Sequence, residues 1–314
     1  MYKTIWNKIK EYDSIVIFGH VNPDGDCYGS EIGLKNAILD NFKDKKVYIV
    51  GTGYPRLFSL LGNMDEVSDE VIKNSLSIVV DTSNQDRVED QRFKMGLDVI
   101  KIDHHIAQEH FGNPELLETE RVSCTELITA MLMANNAIIS KETALGLFLG
   151  LVTDSGRFLY QPINKETYLL AAELVSTGID CAKLYDALYE VDEKMLRFKG
   201  YVYSHYQKTK ENIAYLTLPK EVLHELDVDF NLAASQVNSI ANIKGSPAWV
   251  FFSESDSGMV RVELRSKSIN VQQCAAKFNG GGHLHASGCK LDNLEDHKYV
   301  LQVLDRMAKE EKNV

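Results

Sequence analysis

The sequence predicts an α/β protein: an N-terminal parallel-sheet domain with flanking helices, then a smaller α/β domain. Three observations lead there. Short β-branched runs alternate with helical stretches over the first part of the chain, the pattern of a parallel sheet. Helical periodicity then dominates from Ser123 to about residue 206. Beyond Asn212 the texture changes to strands joined by a tight turn, followed by two helical stretches.

Residues 14–19 (SIVIFG) form an apolar, β-branched run, and the next stretch, 28–40, has helical character. Further strands are expected at 46–50 (KVYIV), 76–80 (LSIVV) and 98–102 (DVIKI). Ser123 to Glu126 open a helix, and Ser123 and Glu126 have the spacing of a capping box. In the C-terminal part, 212–218 and 248–254 read as strands, and Gly258 turns the chain into 259–264 to complete a hairpin. Helices are expected at 270–278 and 294–311, with a glycine-rich loop between them. The boundary falls in a helical region, giving domains at 1–188 and 206–314 and a helical linker at 189–205. There is no low-complexity linker and no internal repeat.

The chain has 314 residues, of which 44% are hydrophobic and 25% charged, the balance of an ordinary globular protein. No apolar run approaches the roughly 20 residues that span a bilayer, so no membrane association is expected. The start, MYKTIWNKIKEYD, has no secretory apolar core. Five cysteines without paired spacing fit a reducing compartment, so the expected location is the cytoplasm. The net charge is −11, and residues 206–314 hold 13 basic and 14 acidic side chains, which leaves −10 on the first 205. Acidic character suits divalent cations and opposes long duplex nucleic acid, whose phosphates select basic surfaces. Small nucleotides or short ends are the better partners.

Four polar clusters carry the chemistry. The first, His20, Asn22, Asp24 and Asp26 in GHVNPDGDCYGS, leaves the first strand in a turn enforced by Pro23 and Gly25. Histidine and carboxylates in one turn make a half-site for a divalent metal; an Asp-rich turn that caps the next helix is an equal alternative. Asp81 follows LSIVV. Asp103, His104 and His105 follow DVIKI; adjacent histidines point in different directions, so one can bind metal while the other meets substrate. Asp154 follows an apolar segment in LGLVTDSGRF, where Gly156 lets the backbone turn. Taken singly, Asp81 and Asp154 read as helix caps.

Together the clusters point elsewhere. Ligands of open parallel sheets gather beyond the carboxyl ends of the strands, and three of the four clusters end a predicted strand. Two divalent ions about 3.5–4 Å apart clamp the attacking and leaving oxygens of a phosphoryl displacement. His20, Asp24, Asp26, Asp81, His104 and Asp154 supply enough donors for such a pair, one carboxylate bridging. Hard oxygen donors with two imidazoles favour Mn²⁺, with Mg²⁺ as the alternative, over structural zinc.

In order, these residues resemble the motifs of the DHH phosphoesterase family, whose naming triplet stands here as Asp103-His104-His105. The C-terminal part resembles the DHH-associated domain through Arg265-Ser266 and GGGHLHASG at 280–288. The resemblance covers nearly the whole chain, and its two-domain layout is similar to the nano-RNase, pAp-phosphatase and cyclic-dinucleotide-cleaving group. It implies one metal at His20, Asp24 and Asp81 and another at Asp26, Asp81, His104 and Asp154. It also implies a catalytic role for the bridging Asp81, His105 as an acid or electrostatic helper, Asn22 near metal and substrate, and a homodimer.

In the C-terminal part, the glycines Gly280, Gly281 and Gly282 would let backbone N–H groups form a phosphate-binding nest. His283 would add a donor or stack on a base, Arg265 would grip a phosphate bidentately, and Ser266 accompanies it. The bland readings are a flexible turn and a surface strand residue. The expected activity is hydrolysis of dinucleotides such as pApA to mononucleotides, and of pAp to AMP. A cyclic-di-AMP phosphodiesterase, a pyrophosphatase-like hydrolase and a non-catalytic nucleotide-binding protein are the alternatives.

Overall fold

Side chains that are apolar on both faces of a strand need cover on both sides, and this requirement organises the N-terminal unit. The computed structural model describes residues 1–107, 109–159 and 163–311, which divide into units Met1–Glu190 and Val191–Val314. In the first unit, strands β1 (Ser14–Phe18), β2 (Lys46–Val50), β3 (Leu76–Val80), β4 (Asp98–Asp103) and β5 (Glu115–Leu117) form one sheet in the order β2-β1-β3-β4-β5. Every pairing in it is parallel. Ile15, Ile17, Ile78, Ile100 and Ile102 pack on one face with Tyr28, Leu127 and Leu147. Val16, Phe18, Val79 and Phe93 pack on the other. Burial on both faces explains why these strands read as continuous apolar runs rather than alternating ones.

The helix after β1 spans Gly25–Asn41 and starts three residues earlier than the sequence predicts. Its start is fixed by Asp24, whose carboxylate accepts the N–H groups of Asp26 and Cys27. Ser123 caps the helix Cys124–Ala134 by accepting the N–H of Glu126 at 2.9 Å. The Glu126 carboxylate reaches back to the N–H of Val122, one residue beyond the position a capping box uses. The apolar stretch before Asp154 is the helix Lys141–Asp154, so the fourth acid sits on a helix end while the other clusters sit at strand ends. That helix packs against Gly25–Asn41 at backbone distance: a Cβ on Gly29 would lie 2.5 Å from the carbonyl oxygen of Gly146. The helix Tyr2–Lys10 and the short β5 were not foreseen.

In the second unit, β6 (Gln207–Lys208), β7 (Ala214–Leu218), β8 (Ala248–Glu254), β9 (Val260–Ser266), β10 (Gly281–Gly282) and β11 (Ala286–Leu291) form a mixed sheet in the order β10-β11-β9-β8-β7-β6. The predicted hairpin is β8–β9, with Gly258 at φ 85° in its turn. Helices Val271–Ala276 and His297–Glu311 cover one face through Val271, Cys274, Val300 and Leu304. The segment read as a linker contains the helix Glu193–His205, whose Phe198 and Val202 are buried with Trp249 and Phe251 of β8 on the other face. Among the described residues no helix is long and apolar enough to cross a membrane.

Candidate metal centre

The acidic and histidine side chains of the first unit converge beyond the carboxyl ends of β1, β3 and β4. Asp81 follows β3 with φ 53°, a left-handed conformation that aspartate tolerates. Its carboxylate faces two ways. Oδ2 lies 3.6 Å from Nε2 of His20, and Oδ1 lies 3.4 Å from Nε2 of His104 and 3.5 Å from Nδ1 of His105. His104 Nε2 also lies 3.4 Å from Asp154 Oδ2 and 3.8 Å from Asp26 Oδ2.

Both inward histidines are held by backbone carbonyls. Nδ1 of His20 contacts the oxygen of Val21 at 3.0 Å, and Nδ1 of His104 contacts that of Arg121 at 3.1 Å. Such contacts place the proton on Nδ1 and leave the Nε2 lone pair to a metal. Asp26 is fully buried and anchored at a helix start: it accepts the N–H of Cys124 at 2.6 Å and the N–H and hydroxyl of Thr125 at 3.0 and 2.8 Å. Gly150 permits this, since a Cβ there would fall 2.4 Å from Asp26 Oδ1. Asp24 is more exposed, and its Oδ1 is 3.8 Å from His20 Nε2 while it caps the helix. Its contacts with the helix N–H groups are the cap reading of Asp24, and among the described residues the three convergent donor sets do not include it. Asn22 is exposed in the same turn at φ 55°.

The electrostatics are those of carboxylates crowded into a poorly hydrated site. Burial pushes Asp26 well above the usual carboxylate range, and the charges of Asp81 and Asp154 add to it. Burial likewise raises Asp154 to about 7, reinforced by Asp81 and Asp24. Burial opposes ionisation of Asp81 too, but His104 and His20 outweigh it and hold that carboxyl below its ordinary value. Burial acts to lower the histidines, yet Asp24 and Asp81 lift His20 to about 11, and Asp81 with Asp26 lifts His104 to about 10.

The donors fit divalent metal. Asp81 Oδ1 and His104 Nε2 are buried and lack a hydrogen-bond partner among the described residues although they lie 3.4 Å apart, and orphaned buried polar atoms are costly unless something binds them. Two sets, Asp81 with His104 and His105, and Asp26 with His104 and Asp154, each bring one donor atom per residue within 4.8 Å of one another. A third, His20 with Cys27 and Asp81, does the same. His105 is half exposed and is oriented by Asp103, which accepts its Nδ1–H at 2.8 Å and its backbone N–H at 3.1 Å. That contact, ahead of the opposing effect of burial, raises the His105 pKa.

In the second unit the glycine-histidine segment is a hairpin, with Gly281 and Gly282 paired to Gly288 and Ser287. The N–H of Gly280 donates to the carbonyl of Ala275, and that of His283 to the carbonyl of Ala286. Those two amides are therefore committed within the fold, which narrows the expected nest. A Cβ on Gly280 would fall 2.2 Å from the oxygen of Gly288, whereas Gly281 faces open space. Arg265 contacts Glu263 at 3.1 Å and donates to the carbonyl of Leu264, and the Ser266 hydroxyl lies 3.0 Å from Nδ1 of His285. His283 is exposed. A cavity of about 820 Å³, lined by Phe230, Asn231, Arg261, Phe278, Gly280 and Lys290 among others, was not foreseen from the sequence.

Residues 14–151 match the DHH family, N-terminal domain, and residues 210–310 match the DHHA1 domain. The chain is 36% identical over 312 residues to a Streptococcus mutans protein named probable bifunctional oligoribonuclease and PAP phosphatase NrnA, covering 98% of this chain and 99% of that one. The chain belongs to the DHH family. A second DHH relative, the Bacillus subtilis bifunctional oligoribonuclease and PAP phosphatase NrnA, is 32% identical, with 96% of this chain and 97% of that one covered. Among solved structures, an exopolyphosphatase-related protein from Bacteroides fragilis superposes with a TM-score of 0.85 at 28% identity, covering 98% and 97% of the two chains.

Sequence reasoning missed Cys27, whose sulfur accepts the N–H of His20 at 3.2 Å, and Thr125, which holds Asp26. Cys27 lies three residues beyond Asp24, and one helical turn was the signal available for it. Thr125 approaches Asp26 from 99 residues away, and only the tertiary fold reveals that contact.

Proposed function

We propose that this DHH-family protein is a metal-dependent phosphoesterase that hydrolyses dinucleotides such as pApA to mononucleotides and also converts pAp to AMP. The observation that carries the reading is Asp81, a buried carboxylate with one oxygen directed to His20 and the other to His104. A carboxylate so placed suits a bridge between two divalent ions. His20, Asp24 and Asp81 would hold one, and Asp26, Asp81, His104 and Asp154 the other. Mn²⁺ is the favoured ion, with Mg²⁺ as the alternative. When bound, the ions would activate water and neutralise charge on the phosphoryl oxygens.

The chain's own residues do the rest. Asp103 accepts the Nδ1–H of the His105 ring and favours its protonated form, whose Nε2–H would donate to a phosphoryl oxygen or leaving group. Asn22, exposed two residues before Asp24, would contact substrate. Arg265, with Ser266, Gly281, Gly282 and His283, would recognise the nucleotide in the second unit, with Gly280 shaping the hairpin. The neighbouring cavity is within the usual range for small-ligand sites. The names of the Streptococcus and Bacillus relatives support oligoribonuclease and PAP phosphatase activities. The proposed substrates are small and single-stranded rather than long duplexes, and the proposed assembly is a homodimer.

The test is product analysis with Mn²⁺ on pApA, cyclic di-AMP and pAp side by side. Rapid release of AMP from pApA, with slow attack on the cyclic form, is expected. Comparable rates on the cyclic form would move the assignment to signalling-nucleotide turnover. No turnover of any of the three with metal bound would refute the reading.

A further inference from the structure

We propose that Lys101 is a positioning residue of this site, acting through Asp103 to set the orientation of His105 and to tie the loop after β3 to the end of β4. The inference rests on the phosphoesterase reading for its kinetic arm alone.

Lys101 is fully buried within β4, a rare state for lysine, because an ammonium loses its hydration there. Its surroundings show what offsets that cost. Nζ donates to the carbonyl of Ser83 at 3.1 Å and lies 3.3 Å from Asp103 Oδ2. It also sits 4.8 Å from the centre of the Phe111 ring, within cation–π range. Ser83 is two residues beyond Asp81, and Asp103 is the residue before His104. One ammonium therefore joins the segment carrying the candidate bridging carboxylate to the segment carrying both histidines.

The other oxygen of Asp103 holds His105 by two contacts, from Nδ1 at 2.8 Å and from the backbone N–H at 3.1 Å. Asp103 is itself fully buried. Removing Lys101 would leave Oδ2 without its charge partner and the carboxylate free to rotate toward other donors. The acceptor that fixes His105 would then be lost. Lys101 alternates in β4 with Ile100 and Ile102, which face the main core. An apolar residue would satisfy that strand position at lower cost, so packing alone does not account for a charge there.

A double-mutant cycle of Lys101→Met and Asp103→Asn tests this, with kcat and KM for pApA, thermal melts, and proton spectra of metal-free protein labelled at histidine. In the native protein His105 should show a slowly exchanging Nδ1–H resonance. Lys101→Met should lose that resonance and lower kcat about 10- to 100-fold, the usual range for outer-shell partners, with KM within about twofold. In the Asp103→Asn background the same lysine change should cost little more, because the two act in series. An unchanged resonance and kcat in folded Lys101→Met would overturn the proposal. So would a full further loss on top of Asp103→Asn, which also decides the matter if the single lysine variant fails to fold. Native protein inactive on pApA would instead sink the phosphoesterase reading, and the His105 resonance would still judge Lys101.

Discussion

The acid-histidine cluster of the first unit and the glycine-histidine hairpin of the second are built on opposite plans. In the first, buried polar atoms such as Asp81 Oδ1 and His104 Nε2 have no hydrogen-bond partner among the described residues, and carboxylates are forced together by helix starts and strand ends. In the second, polar groups are matched within the hairpin and its neighbours: Gly280 to Ala275, His283 to Ala286, Arg265 to Glu263. The contrast separates two tasks. A site short of partners is prepared for a ligand of fixed charge and size. On the proposed reading, the second region would bind by exchanging one partner for another, which would give weaker and more adaptable recognition.

The widest test of that contrast is Asp81→Ala. It removes the carboxylate that faces His20, His104 and His105, and kcat for pApA should fall by at least about 1,000-fold, or about 4 kcal/mol. Mn²⁺ binding by calorimetry should weaken in parallel. Near-normal metal-dependent activity in that variant would dismantle the proposed centre. Arg265→Ala, in the self-satisfied region, should raise KM about 10- to 100-fold with kcat changed little, because one charge-assisted contact is worth about 1.5–3 kcal/mol. A loss confined to kcat would place Arg265 with the chemistry and erase the distinction between the regions.

The smallest effect concerns the metal-free protein. Asp154 is raised to about 7 in the fold, so its stabilising contribution is complete below its unfolded value near 3.9 and is lost as pH rises through about 7. His20 and His104, raised to about 11 and about 10, contribute fully below about 6.5 and lose that contribution at higher pH. Thermal melts in chelator should therefore fall from pH 4 toward pH 7 and beyond, and Asp154→Asn should flatten the first part of the slope. Added Mn²⁺ should restore more stability at pH 8 than at pH 6. A slope unchanged in Asp154→Asn would show that Asp154 does not carry it.

How much of this was legible in sequence depended on the range of the interaction. Strands β1 to β4 read clearly because each is a short run rich in β-branched residues, and Asp81 and Asp103 announced the ends of β3 and β4; β5, only Glu115–Leu117, carries no such run. Asp154 was visible as a candidate, but its setting was not, since an apolar run without periodicity fits a buried helix as well as a strand. The helix at Glu193–His205 was recognised as helical. Its packing through Phe198 and Val202 depends on strands dozens of residues later. The glycines at 280–282 suggested free amides; which amides are committed is decided by pairing with β11, a register that composition does not encode. Lys101 was read only as one letter of a strand, because a buried charge leaves no mark in a sequence when its partners are a carbonyl and a neighbour two residues away.

The contact between Gly25–Asn41 and Lys141–Asp154 has a further consequence. Where helices are spaced by side chains, the gap between them can drift as methyl groups come and go and rotamers adjust. Here Gly29 meets the main-chain oxygen of Gly146, and Gly150 makes room for Asp26. Peptide planes have no rotamers. The distance between Asp26 and Asp154 is thus gauged by the thickness of two backbones, and substitutions elsewhere in the core can accumulate without resetting it.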